Sequence, residues 1–267
     1  MLIPNLGKRL RIRRLIDPET GSFLMVPMDH GYSIGPATGL IDLNSTVKKV
    51  FEGGASAVIV HKGMLRTVAS ALPSSKGVMI HVSGSTSLSP LAHKKIMTGS
   101  VNEIVTMGAD GISAHINLGA DDDYEMLGDL ANISENAYTY GMPLLAMMYV
   151  RNSQGLETNT PDAIAHAARV AEELGCDIVK VNATANGDKF DEVTQGIRIP
   201  VIIAGGSKKG DFKGFLKTIE NCILHGAAGV SIGRNVFQAD DPATAMKKIK
   251  ETVLHAISEV GELDLLS

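Results

Sequence analysis

Lys180 stands in the run Cys176-Asp177-Ile178-Val179-Lys180-Val181-Asn182, whose apolar β-branched residues spell a buried strand. An ammonium withdrawn from water loses its hydration, so burial favours the neutral amine. That amine is a nucleophile able to form a Schiff base with a carbonyl substrate. The competing reading is a lysine that snorkels from the strand end or sits in a buried ion pair, and the residues alone leave the two evenly matched. Tyr149 closes the run Leu145-Ala146-Met147-Met148-Tyr149. A phenol there can give a proton to a carbinolamine oxygen and take it back, or simply be a rim aromatic satisfied by one hydrogen bond. Asp29 follows Val26-Pro27-Met28 and precedes His30-Gly31. Its carboxylate can accept a proton or hold the lysine and substrate hydroxyls, or merely order the loop.

Two glycine turns, Ala204-Gly205-Gly206-Ser207 and Ser231-Ile232-Gly233-Arg234-Asn235, follow the last two apolar runs. Such turns expose backbone N–H groups to an anion, a short helix near Asn235 adds its positive end, and Arg234 can add a charge-assisted contact. A phosphate site explains this pair better than tight turns alone. His30, His61, His81 and His115 lie at or near four other strand ends and raise the possibility of a metal site. No HxH or HExxH spacing supports it, so no metal and no cofactor is expected.

These residues need a scaffold that brings strand ends together. Apolar runs mark eight strands, at 23–29, 57–62, 78–83, 111–117, 143–149, 177–182, 200–205 and 229–233. Most are continuous rather than alternating, as in parallel strands covered on both faces. One phrase recurs as Gly54-Ala55, Gly108-Ala109, Gly175-Cys176 and Gly226-Ala227, each a helix C-cap that feeds the next strand. Helical patterns lie between, as at Asp122–Tyr140, Thr160–Leu174 and Asp211–His225, with Pro161 at a first helical position behind Thr160. The Ser/Gly/Pro-rich stretch 83–100 predicts a loop with a short helix. The alternation predicts an α/β fold, a (β/α)8 TIM barrel in one domain over 1–267 with an extra N-terminal helix, residues 5–15, across its bottom. A doubly wound open sheet is the runner-up.

The chain has 267 residues, 44% hydrophobic and 20% charged, with net charge -4, enough for a sizeable core and too little positive charge to recruit nucleic acid. The basic stretch Lys8–Arg14 reads as a surface helix with a basic face. Cys176 and Cys222, isolated in apolar surroundings, read as reduced thiols of a cytoplasmic protein. Met1–Leu6 is too short an apolar run for a signal peptide, and no run suffices to span a membrane.

Val26-Pro27-Met28-Asp29-His30-Gly31, Met148-Tyr149, Ile178-Val179-Lys180, Ala204-Gly205-Gly206 and Gly233-Arg234-Asn235 occur in an order and spacing that resemble the archaeal-type (DhnA/DeoC-like) class I aldolases. The likeness runs over nearly the whole chain. It implies Lys180 as the Schiff-base lysine, Tyr149 as proton donor and Asp29 as proton acceptor. It also implies a phosphosugar site lined by Asp29, His30, Gly31, Tyr32, Ser33, Tyr149, Val150, Arg151, Gly205, Gly206, Gly233 and Arg234, and a homo-oligomer, often a decameric ring. The implied activity is an aldolase or transaldolase acting on a phosphorylated ketose. Met147 stands where the group's fructose-bisphosphate aldolases carry tryptophan, which favours the branch that makes 2-amino-3,7-dideoxy-D-threo-hept-6-ulosonate from a ketose phosphate and L-aspartate semialdehyde. Fructose-bisphosphate cleavage is the near alternative. Thiolase-like acyl transfer and a non-catalytic phosphosugar-binding barrel are more distant ones. Val150-Arg151-Asn152 departs from the Pro-Arg-Gly usual in the group, and Val181-Asn182-Ala183 from its threonine-containing run.

Overall fold

A computed structural model describes residues 5–119, 123–152, 154–208 and 210–264. Eight parallel strands close into a barrel: β1 Phe23–Pro27, β2 Ala57–His61, β3 Gly77–His81, β4 Gly111–Leu118, β5 Leu144–Val150, β6 Ile178–Asn182, β7 Val201–Ala204 and β8 Gly229–Ser231. Closure is set by β1, where Met25 registers with both Ala57 and Ser231. That double pairing excludes the open sheet. The outer layer includes α1 Leu6–Leu15, α2 Leu43–Glu52, α3 Val101–Thr106, α4 Asp123–Thr139, α5 Pro161–Glu173, α6 Phe190–Thr194, α7 Phe212–Leu224 and α8 Pro242–Asp264. The expected first residue of the fourth helix, Asp122, lies outside the described residues, as do residues 1–4. None of the described helices is long and apolar enough to cross a membrane.

The recurring glycine does what its position requires. Gly54, Gly108, Gly175 and Gly226 all have φ between 76° and 98°, a left-handed turn that a side chain would strain. Pro161 opens α5 with Thr160 as N-cap, although the threonine hydroxyl makes no capping bond.

Side chains alternate between two cores. Ile112, Ala146, Val179, Val181 and Ile203 face the helices, whereas Met25, Ile59, Met79, Leu145, Met147, Ile178 and Ile202 fill the barrel interior. From below, α1 plugs this interior with Ile12 and Leu15. The helix is therefore only partly a basic surface. Lys8 is buried and bonds Asp177 at 2.8 Å, while Arg14 pairs with Asp110 at 3.1 Å. Both cysteines are buried and free, their thiols pushed up to about 12 by burial.

The stretch after β3 differs from expectation. It carries no helix. Ser83–Gly84 and Ile96–Met97 pair as a small antiparallel ribbon, and the turns between them fold over the barrel mouth. The ribbon is anchored where Thr98 N–H bonds Val82 O at 2.8 Å and Val82 N–H bonds Ser113 O at 2.9 Å.

Candidate active site

The period of two that buries Ile178 also turns Lys180 inward, because alternate residues of a strand share a face. The same parity carries Met79 to His81, Ile59 to His61 and Met147 to Tyr149. The apolar interior thus gives way at its top to a layer of groups able to do chemistry. They line a cavity of about 330 Å³ together with Asp29, Lys95, His115, Arg151, Glu157, Asn182, the β7 and β8 turns and Arg234.

Lys180 is 5% exposed. Its Nζ lies 4.0 Å from Met147 Sδ, and no described carboxylate comes within 4.0 Å of it. Burial, aided by Arg234 and opposed by Asp29, lowers its pKa from 10.5 to about 8. Burial alone would raise the Asp29 carboxyl, but His81, His30 and Lys180 outweigh it and hold the group well below the usual carboxylate range. Asp29 Oδ2 lies 3.7 Å from His81 Nε2, and Oδ1 lies 3.3 Å from His30 Nδ1, outside hydrogen-bond geometry. Burial brings His81 down to about 4, so at neutral pH it is an uncharged imidazole. Its Nδ1 sits 2.9 Å from Ser113 Oγ. If that hydroxyl donates to Nδ1, the Nε2–H points toward Asp29. Tyr149 packs against the His115 ring at 4.8 Å, and burial, Asp29 and Glu157 all push its phenol upward.

On the β7–β8 side the anion-site features converge. Gly206 takes φ 64°, and Asn235 Nδ2 donates to Gly205 O at 2.8 Å and to Ser207 O at 3.2 Å, tying the two turns together. A Cβ on Gly233 would come within 2.8 Å of Pro27 O. Arg234 heads the short helix Arg234–Phe237, and its Nε is buried without a partner. A buried donor left unpaired costs stability unless a ligand completes it.

Of the residues expected in the site, Lys180, Tyr149, Asp29, His30, Ser33, Arg151, Gly205, Gly206, Gly233 and Arg234 line this cavity. Gly31, Tyr32 and Val150 do not. Val150 follows inward-facing Tyr149 and so packs outward against the helix-facing core. Gly31 and Tyr32 belong to the helical turn Gly31–Ile34, which swings them into an adjoining apolar groove where Tyr32 meets His61 at 4.9 Å. The strand-end histidines do not gather as metal ligands. Among the described residues, the one group of ligand atoms within 4.8 Å of one another is Glu220, His255 and Glu259, away from the mouth.

Lys95 and Glu157 are cavity residues that the sequence did not single out. Lys95 reaches in from the ribbon, and Glu157 from the loop after β5. The departures from the family pattern explain Glu157. Asn152 Oδ1 accepts from Gln154 N and Leu156 N, both at 3.0 Å, and folds the loop back so that Glu157 bridges Arg151. Asn182 Nδ2 then donates to Glu157 Oε2 at 3.0 Å.

Known proteins match this sequence and fold. A family model described as DeoC/LacD family aldolase matches residues 23–239. The chain is 41% identical over 258 residues to 2-amino-3,7-dideoxy-D-threo-hept-6-ulosonate synthase 1 of Archaeoglobus fulgidus, across 97% of this chain and 95% of that protein. It is 33% identical over 247 residues to 2-amino-4,5-dihydroxy-6-oxo-7-(phosphonooxy)heptanoate synthase of Streptomyces griseus, across 92% and 90%. A solved structure of a Schiff-base-forming fructose-1,6-bisphosphate aldolase superposes with TM-score 0.83 at 26% identity, covering 92% of this chain and 99% of the other.

Proposed function

Because the chain belongs to the DeoC/LacD family of aldolases, we propose that it is a Schiff-base synthase that joins a three-carbon unit of a ketose phosphate to L-aspartate semialdehyde. The observation that carries the reading is Lys180, an amine lowered to about 8, buried in the barrel mouth and paired with no described carboxylate. At pH 7 roughly a tenth of such amines are neutral, against well under a thousandth for an ordinary lysine.

In the proposed sequence the Lys180 amine attacks the donor ketone to form a carbinolamine. The carbinolamine oxygen takes a proton, with Tyr149 as donor, and leaves as water. The protonated imine draws in the electron pair of the breaking carbon–carbon bond, while the Tyr149 phenolate, helped by Asp29, takes back the proton of the hydroxyl that becomes the leaving aldehyde. The resulting enamine attacks the acceptor aldehyde. The new alkoxide takes back a proton, and water hydrolyses the imine. The neutral His81 beside Asp29 holds the carboxylate in place. Gly205, Gly206, Gly233 and Arg234 grip the phosphate and orient the reacting carbon. Fructose-bisphosphate cleavage is the second reading, favoured by the structural neighbour.

Borohydride reduction in the presence of dihydroxyacetone phosphate should fix the adduct on the peptide carrying Lys180. Ligand binding without label at Lys180 would overturn the lysine reading in favour of a phosphosugar-binding barrel. Turnover of fructose bisphosphate, with none of aspartate semialdehyde, would select the second reading. The family resemblance extends the proposal to a homo-oligomeric ring, which light scattering would show as a mass several times that of one chain.

A further inference from the structure

The cavity has two cationic poles, one on each side of Lys180. At the first, Arg234 and the turns after β7 and β8 face β1 and β6. The second lies across the mouth, where Lys95 comes from the ribbon after β3 and Arg151 from the end of β5. Lys95 Nζ donates to Ser85 Oγ at 2.6 Å and to Ala92 O at 2.9 Å, which fixes the side chain and leaves one ammonium hydrogen. Among the described residues no carboxylate lies within 4.0 Å of it. Burial and the Arg151 charge lower its pKa and outweigh the more distant Asp29 carboxylate, which opposes them.

This second pole also contains an acid. Glu157 Oε1 lies 3.2 Å from an Arg151 guanidinium nitrogen, its Oε2 accepts from Asn182, and Arg151 Nε donates to Asn117 Oδ1 at 3.0 Å. The carboxylate is thus fixed in the wall of an otherwise cationic cavity, with acceptor capacity remaining. A second phosphate would find the Lys95 and Arg151 charges but would also meet the Glu157 carboxylate as a like charge. A head group that carries a carboxylate and an ammonium on neighbouring atoms would be matched by this wall.

We infer that Lys95, Arg151 and Glu157 form an acceptor subsite that recognises the zwitterionic head of an α-amino-acid aldehyde, the acceptor's carboxylate on Lys95 and Arg151 and its ammonium on Glu157. The inference rests on the Schiff-base reading of Lys180 and goes beyond it by assigning acceptor choice to residues that do not touch the ketone. It also accounts for the 2-amino acid in the names of both relatives' products.

The test compares three acceptors on one donor, dihydroxyacetone phosphate: L-aspartate semialdehyde, succinate semialdehyde, which lacks the amine, and butanal, which lacks both groups. Lys95→Met should lower kcat/KM for both carboxylate acceptors relative to butanal by about tenfold, the worth of one charge-assisted hydrogen bond. Lys95→Arg should restore most of it. Glu157→Gln should lower the ratio of aspartate to succinate semialdehyde by a similar factor. Equal losses on all three acceptors would overturn the inference, as would a wild-type enzyme with no preference for the amino acid. If Lys95→Met does not fold, Glu157→Gln still decides the ammonium contact. Failure of borohydride to label Lys180 in the wild type marks failure of the lysine reading. Normal labelling without acceptor discrimination marks failure of the subsite alone.

Discussion

Two lysines of this chain are almost equally buried and do opposite things. Lys8, 3% exposed, lies under the barrel floor with its Nζ 2.8 Å from Asp177 Oδ2. Lys180, 5% exposed, lies at the mouth with only the Met147 sulfur at 4.0 Å. Asp177 immediately precedes strand β6 and Lys180 lies within it, three residues on, so the structural ion pair sits at the foot of the strand and the unpaired amine near its top. Burial is common to both lysines and does not by itself distinguish them. The counter-charge does: a paired ammonium is fixed as a charge, and an unpaired one is driven toward the nucleophilic amine.

Exchanging the two side chains one at a time should separate the roles. Lys180→Met should lose activity by roughly a thousandfold or more, since no other residue replaces a covalent nucleophile. Lys8→Met should leave the turnover of folded enzyme nearly unchanged. Stability should then reverse the ranking. Lys8→Met strands the Asp177 carboxylate, which burial already raises, and should cost about 3–5 kcal/mol in urea unfolding. An activity loss in Lys8→Met larger than its loss of folded protein would break the comparison.

A smaller effect sharpens it. A lysine brought from 10.5 to about 8 by folding costs the folded state up to about 3 kcal/mol at neutral pH, so Lys180→Met should be more stable than the parent by nearly that amount. The sign follows from proton counts. Between about 8 and 10.5 the unfolded chain holds more protons at this site, so stability rises with pH across that window. The gap between parent and variant should therefore be full below about 8 and close as pH approaches 10.5. Midpoints that differ by the same amount at every pH would mean that Lys180 is not depressed. The smallest effect is on rate. Schiff-base formation should rise about tenfold per pH unit below about 8 and level off above it, because only the neutral amine attacks. A flat profile from pH 6 to 9 would place the slow step elsewhere.

Much of this arrangement was legible in the residues. The eight apolar runs and the recurring glycine define the barrel, and the alternation of inward and outward residues along Ile178-Val179-Lys180-Val181 requires Lys180 to share a face with Ile178. Turn chemistry exposes Gly205, Gly206 and Gly233 in the same local way. Legibility ended where function depends on chain reversals. The loop composition of 83–100 gave no hint of a ribbon, because the pairing of Ser83 with Met97 is held by the bond from Thr98 to Val82 at the barrel rim and not by local propensity. Lys95 and Glu157 were unremarkable charged residues until the ribbon and the Asn152 turn carried them into the cavity.

Local sequence therefore determined which elements form, which face each side chain takes and what chemistry each side chain can perform, because propensity, period and capping act over a few residues. Only the tertiary structure decided which charges meet. Lys8 finds Asp177 across 169 residues of chain, and Lys180 finds no described carboxylate within 4.0 Å, only the more distant charge of Asp29. Coulomb and desolvation energies depend on distance in space, which the order of residues does not contain.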